Sequence, residues 1–266
     1  MPFFDPHIHM YSRTTDDYER MKAAGITGVV EPAFWLGSLR RHWATHIDYL
    51  EHVISYEPTR AAKFGVKHHC TIAMNPKEAN DTGVAFEVIE RMKELLHRDT
   101  VVGIGEVGLD RITAAEEEVL RRQLALAESE KMPVIVHTPH VEKARGTKRI
   151  IDIVREMNLT LSRIVIDHNN EETIGMVKEL GCWAGHTIYP ITKLSPERMV
   201  DILKRFGTER MLMNSSADWG QSDPLIVPKT ADLMFRSGFT EAEVKKVSWE
   251  NPIAFFSQSP RFKAPA

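Results

Sequence analysis

Short apolar, β-branched runs alternate with longer amphipathic stretches along the whole chain. The longer stretches carry helix start signals, among them Thr113 to Glu116 and Thr240 to Glu243, which have the form of capping boxes. The pattern therefore predicts regularly alternating strands and helices. Eight runs are predicted to be strands, and they cover 2–9, 27–31, 66–73, 101–106, 133–137, 163–168, 181–187 and 210–215.

The predicted strands are apolar on both faces, which is typical of a parallel sheet covered by helices. About eight strand–helix units favour an α/β fold of the closed (β/α)8 TIM-barrel type over an open doubly wound sheet. The absence of Gly-x-Gly-x-x-Gly after the first strand disfavours a dinucleotide-binding fold. Residues 32–65 form a longer segment than one helix needs. We therefore expect extra helical structure after strand 2, and this structure could form a lid over the barrel.

Composition narrows the class of protein. The 266 residues fit a single barrel domain over 1–266, and the net charge of −3 provides no general attraction to nucleic acid. Cys70 and Cys182 are far apart and outside any Cys-x-x-Cys pattern, which favours reduced thiols over a disulfide or a cysteine zinc site. Without a signal-peptide pattern or a long apolar stretch, we expect a cytoplasmic protein with no membrane partner.

Polar residues at the ends of the predicted strands are the candidates for chemistry, because functional residues of such barrels lie at the C-terminal strand ends. The first strand ends in His7 and His9, which strand alternation places on the same side, about 6.6 Å apart along the axis. Two imidazoles at that spacing can converge on one ion. The alternative is a hydrogen-bonded histidine pair at a strand end.

Four further strands end in an acid or a histidine. Glu106 follows the fourth strand, and a buried carboxylate there must be paired, protonated or bound to a cation. His137 and His168 end the fifth and sixth strands, and Asp218 follows the last. Packing does not explain such residues at five strand ends, so the pattern indicates a metal site.

Over nearly its whole length the chain resembles the TatD-like branch of the amidohydrolase superfamily. The resemblance implies a two-metal site with Glu106 as the bridging ligand. It implies one ion held by His7, His9 and Asp218, and a second ion held by His137 and His168. The motifs that carry it are Phe4-Asp-Pro-His-Ile-His9, Gly105-Glu-Val-Gly-Leu-Asp110, Pro133-Val-Ile-Val-His137, His168 and Asn251-Pro-Ile-Ala-Phe-Phe256.

The implied chemistry is hydrolysis. Two divalent ions about 3.5–4 Å apart would generate a metal-bridging hydroxide that attacks a phosphoryl or carbonyl centre. Asp218 would take the nucleophile's proton and deliver it to the leaving group. The ligands suit zinc or manganese, and also iron, cobalt or nickel. The predicted function is a metal-dependent hydrolase that cleaves an ester, lactone, amide or phosphoester bond of a small-molecule substrate.

The residues expected around the substrate depart from the family pattern. Asn75 stands where TatD-type nucleases usually have histidine, Pro139 replaces an arginine suited to phosphate, and Asp218 falls later than the usual aspartate. With the negative net charge, these departures disfavour the alternative of a DNA or RNA nuclease. A non-catalytic metal-binding barrel is a third alternative, and the oligomeric state is not readable from the sequence.

Four residues are candidates for substrate contacts. Glu31 ends the second strand, with a buried structural pair as the alternative role. His140 could contact an anion. His186 ends the seventh strand, with a packed core histidine as its alternative. Trp219 directly follows Asp218 and is expected to line the substrate pocket.

Overall fold

Eight parallel strands form one sheet whose order follows the chain, and helices separate successive strands. The computed structural model describes residues 1–265. The predicted (β/α)8 barrel is therefore confirmed. The strands are β1 Phe3–Asp5, β2 Ile26–Pro32, β3 Lys67–Ile72, β4 Val101–Gly108, β5 Val134–His137, β6 Ile164–Ile166, β7 Trp183–Thr187 and β8 Met211–Asn214.

Helices surround the barrel, and the helical segment expected after β2 is present as α2, a π-helical turn His52–Tyr56 and α3. Within residues 1–265, no helix combines the length and apolar character needed to cross a membrane. The helices are α1 Thr15–Ala23, α2 Trp43–Glu51, α3 Glu57–Ala62, α4 Thr82–Met92, α5 Ala114–Ser129, α6 Lys143–Glu156, α7 Ile174–Leu180, α8 Pro196–Phe206, α9 Ile226–Arg236, α10 Glu241–Lys245 and α11 Asn251–Phe256.

The barrel interior is apolar toward the N-terminal ends of the strands. There, residues from six strands pack against Phe255 and Phe256 of α11. Because this end is filled by a packed plug, space for a ligand is left at the opposite, C-terminal end. The strand residues of the plug are Phe4, Val30, Val102, Ile135, Val165 and Leu212.

The ends of β1 and β8 are joined by backbone hydrogen bonds beyond the strands themselves. Strand β1 ends at Asp5, so His7 and His9 lie after it and not inside the predicted strand 2–9. The amide of Ser216 donates to the carbonyl of His7 at 2.7 Å, and the amide of His9 donates to Ala217 at 2.9 Å. These bonds hold the backbone of both histidines against the segment that follows β8.

Gly108 allows β4 and β5 to meet beside the mouth of the barrel. Its φ of +149° lies in a region that side chains rarely adopt, and a Cβ there would overlap the carbonyl of His137. Only glycine satisfies both conditions without moving His137. Gly175, in α7, has open space around its Cα and an ordinary φ.

We predict that Gly108→Ala lowers the free energy of unfolding by about 2–4 kcal/mol, through backbone strain and overlap with His137. The matched control Gly175→Ala should raise stability by about 0.5–1 kcal/mol, because alanine is the better helix former. Urea unfolding of both variants measures the difference. Equal stability of the two variants would contradict the role assigned to Gly108.

Candidate metal centre

A buried carboxylate joins three histidines at the C-terminal end of the barrel. Glu106 Oε1 lies 2.8 Å from His168 Nε2, 3.0 Å from His137 Nδ1 and 3.7 Å from His7 Nε2. The candidate ligand atoms of His7, Glu106 and His168 all lie within 4.8 Å of one another. Side chains from three separate strand ends therefore converge on one point, as the sequence pattern predicts.

Two further residues complete the surroundings of this group. His9 Nε2 lies 3.1 Å from His7 Nε2, and its ring stacks on Phe34 with centroids 3.9 Å apart. Asn75 Nδ2 lies 3.4 Å from the second oxygen of Glu106, to which it donates. The asparagine that departs from the family pattern thus contacts the central carboxylate.

The electrostatics of the cluster favour an ionised Glu106 beside neutral His9 and His168, while at His7 the lowering of the pKa by burial is outweighed by Glu106 and Asp167, which raise it. Burial opposes ionisation of Glu106, but His137 and His7 hold the pKa of its carboxyl well below the usual range. Burial also drives the pKa values of His9 and His168 well below that of a free histidine. These are the protonation states in which carboxylate and imidazole ligate metals.

Unpaired nitrogens show that the residues fit a metal. His137 Nε2 and His9 Nδ1 are buried and lack a hydrogen-bond partner within residues 1–265. A buried polar atom without a partner costs free energy unless another group binds it. A set of imidazole and carboxylate donors suits divalent transition-metal ions. The residues that could hold such ions are His7, His9, Glu106, His137 and His168.

A second layer of hydrogen bonds fixes the histidine rings. His7 Nδ1 donates to Asp167 Oδ2 at 2.6 Å, which turns Nε2 of the same ring toward Glu106. The Asn214 amide donates to Asp167 Oδ1 at 3.0 Å. The Thr187 hydroxyl lies between Asn214 and His168: it donates to Asn214 Oδ1 at 2.7 Å and lies 2.6 Å from His168 Nδ1. The pattern of strand ends did not single out Asp167, although its place directly after β6 and before His168 was the available signal.

Asp218 lies on the wall of the site and not among the converging ligand atoms. Its Oδ1 accepts hydrogen bonds from the Tyr189 hydroxyl at 3.2 Å and from the Gly220 amide at 2.7 Å. His9, His137 and Asp218 surround the group of His7, Glu106 and His168 without belonging to it. Asp218 thus lines the same cavity as Glu106.

Of the four predicted substrate contacts, His140 and Trp219 line the cavity above the cluster. Glu31 and His186 are both 0% exposed, which does not agree with substrate contact. Glu31 accepts hydrogen bonds from the Tyr11 amide and from His68 Nε2, each at 2.8 Å. It therefore forms the buried structural pair that was its alternative, and His186 is a core residue of β7.

The cavity above the cluster has a volume of about 500 Å³ and is open at the barrel mouth. Burial lowers the pKa of Lys193 in its wall, although the carboxylates of Glu106, Asp167 and Asp218 oppose that effect. A neighbouring cavity of about 600 Å³ shares His140, His168, Thr192 and Lys193 with the first. The lining of the first cavity combines lysine side chains with aromatic ones, the lysines being Lys77 and Lys193 and the aromatics Phe34, Trp35, Tyr189 and Trp219.

Loop 33–42, and not the helical segment that follows it, reaches this cavity. It contributes Phe34 and Trp35, whose rings lie 5.3 Å and 5.9 Å from that of Trp219. Trp219 itself is 46% exposed at the mouth. The loop after β2 and the loop after β8 thus bring Phe34, Trp35 and Trp219 together in the cavity lining.

Comparisons with known proteins find similar proteins among metal-dependent hydrolases and TatD-like proteins. An uncharacterized metal-dependent hydrolase of Methanocaldococcus jannaschii is 28% identical over 253 residues, which cover 95% of this chain and 98% of the relative. The crystal structure of a TatD-like protein from Archaeoglobus fulgidus matches with a TM-score of 0.80 and 28% identity, over 96% of this chain and all of that one. The phosphotriesterase homology protein of Escherichia coli, at 15% identity, shares the fold with a TM-score of 0.71 over 96% of this chain and 98% of that one.

The fold and the buried cluster define a metal-dependent hydrolase with the barrel of the amidohydrolase superfamily. The TatD related DNase family matches residues 4–257. The chain belongs to this family.

We predict that Asp167→Ala weakens zinc binding by about 10–100-fold, because the His7 ring loses the partner that orients it. Competition with a zinc-sensitive dye measures the affinity. The matched control is Asp152→Ala on the surface of α6, which should bind zinc as the parent protein does. Unchanged zinc affinity in a folded Asp167→Ala variant would show that Asp167 does not position His7.

Proposed function

We propose that the chain hydrolyses an ester, lactone, amide or phosphoester bond of a small molecule, with two divalent ions, zinc or manganese, at its centre. The observation that carries the proposal is Glu106, buried among His7, His137 and His168 on the floor of an open cavity. In this proposal His7 and His9 hold one ion, His137 and His168 hold the other, and Glu106 lies between them.

The bound ions would supply Lewis acidity and an activated water at neutral pH. The protein's own contribution is positioning and proton transfer. Asp167 orients the His7 ring, and Tyr189 and the Gly220 amide hold one oxygen of Asp218 in the cavity wall. We assign Asp218 the proton transfer from nucleophile to leaving group, since its carboxylate faces the same cavity as Glu106.

The shape and charge of the site support a small substrate. The cavity of about 500 Å³ above the cluster falls within the range of small-molecule pockets. Two arginines of the neighbouring cavity are ion-paired, Arg145 with Glu142 and Arg198 with Glu171. The mouth therefore lacks a strip of free cations suited to a polynucleotide backbone, as far as residues 1–265 show.

Nuclease activity is the second candidate, because the matching family is the TatD related DNases. A nuclease would lose activity steeply as salt rises, since binding would release counterions from the polynucleotide. Cleavage of a DNA end at a rate comparable to that of the best small ester would favour this candidate.

We predict that the protein, after incubation with zinc or manganese and desalting, retains more than one ion per chain. The donor set of four histidines and one carboxylate exceeds what a single ion needs. Inductively coupled plasma mass spectrometry measures the ratio. One ion or fewer per chain after repletion would contradict the two-ion proposal.

A screen of p-nitrophenyl phosphate, p-nitrophenyl acetate, a lactone and an amide, with added zinc or manganese, then tests hydrolysis itself. The expected result is metal-dependent turnover of at least one of them, lost on chelation. No turnover of any class by the metal-replete protein, together with cleavage of DNA ends, would replace the small-molecule proposal by the nuclease.

We predict that Asp218→Asn lowers kcat by about 10²–10⁴-fold while the metal content stays that of the parent protein, because an amide cannot accept the proton. Steady-state kinetics on the best substrate of the screen and metal analysis measure the two effects separately. The control Asp223→Asn, on the same loop, should keep full activity. Loss of metal in Asp218→Asn would instead make Asp218 a ligand.

A further inference from the structure

Five cationic side chains line the two connected cavities, and most of them are engaged by the protein itself. Lys77 forms an ion pair with Asp110 at 3.0 Å. Lys143 donates to the Thr138 hydroxyl at 2.9 Å and to the carbonyl of His168 at 3.0 Å. These two hydrogen bonds link the loop after β5 to the loop after β6. The five are Lys77, Lys143, Arg145, Lys193 and Arg198.

Lys193 has the weakest protein partners of the five cations, since three of the others are ion-paired and Lys143 donates two hydrogen bonds of 3.0 Å or less. Arg145 and Arg198 are ion-paired with glutamates, as described above. Within residues 1–265, no carboxylate oxygen lies within 4.0 Å of Lys193 Nζ. Its protein contacts are neutral: Nζ lies 3.3 Å from the Ser216 hydroxyl and 5.7 Å from the centre of the Tyr189 ring.

The position of Lys193 is fixed by its backbone. The Lys193 amide donates to the carbonyl of Tyr189 at 2.8 Å, and the Leu194 amide donates to Thr187 at 3.3 Å. The buried side chain of Leu194 anchors the loop in the core. A short loop closed in this way holds the half-buried lysine at the junction of the two cavities, on the wall above Glu106 and His168.

A half-buried ammonium without a counterion is unfavourable, and an anion in the cavity would compensate it. Three acidic groups act on Lys193, namely Glu106, Asp167 and Asp218. The first two are bonded to histidines of the cluster, and Asp218 Oδ1 accepts hydrogen bonds from the Tyr189 hydroxyl and the Gly220 amide. Divalent ions at the cluster would make the cavity still more positive. The space beside Lys193 therefore suits an oxyanion and disfavours a neutral or cationic group.

We propose that Lys193 is a specificity-determining residue, whose ammonium binds an oxyanion of the substrate at the junction of the two cavities. The substrate is then an anionic small molecule, with a phosphoryl or carboxylate group held by Lys193 while the scissile bond lies over the cluster. This inference rests on the proposed function, because it assigns one contact within the same site.

The test uses metal-replete protein and inorganic phosphate as the first probe, with acetate as the second. Isothermal titration calorimetry should show binding of the oxyanion that Lys193→Met weakens about tenfold and Lys193→Arg changes less than about threefold. The matched control is Arg145→Met, a cation of the neighbouring cavity that is paired with Glu142, and it should bind as the parent protein does. Stronger phosphate than acetate binding would identify a phosphoryl group, and the reverse a carboxylate.

Kinetics separate this inference from the proposed function. With an anionic and a neutral ester of similar size, Lys193→Met should raise KM about tenfold for the anionic ester and leave the neutral ester unchanged. Two results would overturn the assignment of Lys193. One is an equal change in KM for both esters, and the other is unchanged oxyanion binding in a folded, metal-replete Lys193→Met variant. Absence of hydrolysis in the parent protein would overturn the proposed function, while the calorimetry would still report on Lys193.

Discussion

The whole site depends on one constraint, the burial of an ionised carboxylate. Glu106 lies at the end of a fully buried strand, where an unpaired charge would be strongly unfavourable. Its oxygens are accordingly surrounded by the imidazoles of His7, His137 and His168 and by the Asn75 amide. The outer nitrogens of His7 and His168 need partners of their own, and Asp167 and Thr187 supply them. Each layer of the polar network thus compensates the groups inside it, beginning with this one buried charge.

The barrel makes such a network possible because its two ends differ. The N-terminal end is filled by an apolar plug closed by Phe255 and Phe256, and its burial stabilises that end of the barrel. The strands end early, at Asp5 in β1 and at Ile166 in β6, and the site residues follow in loops fixed by backbone hydrogen bonds. A stable core at one end thus permits strained and polar conformations at the other, such as the positive φ of His168.

Much of this arrangement could be predicted from the sequence, and the remainder has a common physical reason. Apolar periodicity marks all eight strands, and residues at strand ends must converge in a barrel, which is why Glu106, His137 and His168 could be grouped. Periodicity does not show how far a strand end lies from the cavity. Glu31 was therefore open to two roles that only its contact with His68 distinguishes. The role of Asp167 depends on the ring orientation of His7, which is 160 residues away in sequence.

Lys193 illustrates the same limit at the substrate end. Nothing in its local sequence distinguishes it from other loop lysines, since its importance comes from having neither the carboxylate partners of Lys77, Arg145 and Arg198 nor the short hydrogen bonds of Lys143. In the family pattern that the chain resembles, an arginine suited to phosphate often follows two residues after the fifth-strand histidine, and Pro139 stands at that place in this chain. Lys193, from the loop after β7, is a cation that lines the cavity above the cluster. The histidines and the carboxylate of the cluster lie at strand ends, whereas the cavity walls are formed by loops. A cation can therefore change its place among the loops, and with it the anion that fits above the cluster, while the cluster itself stays the same.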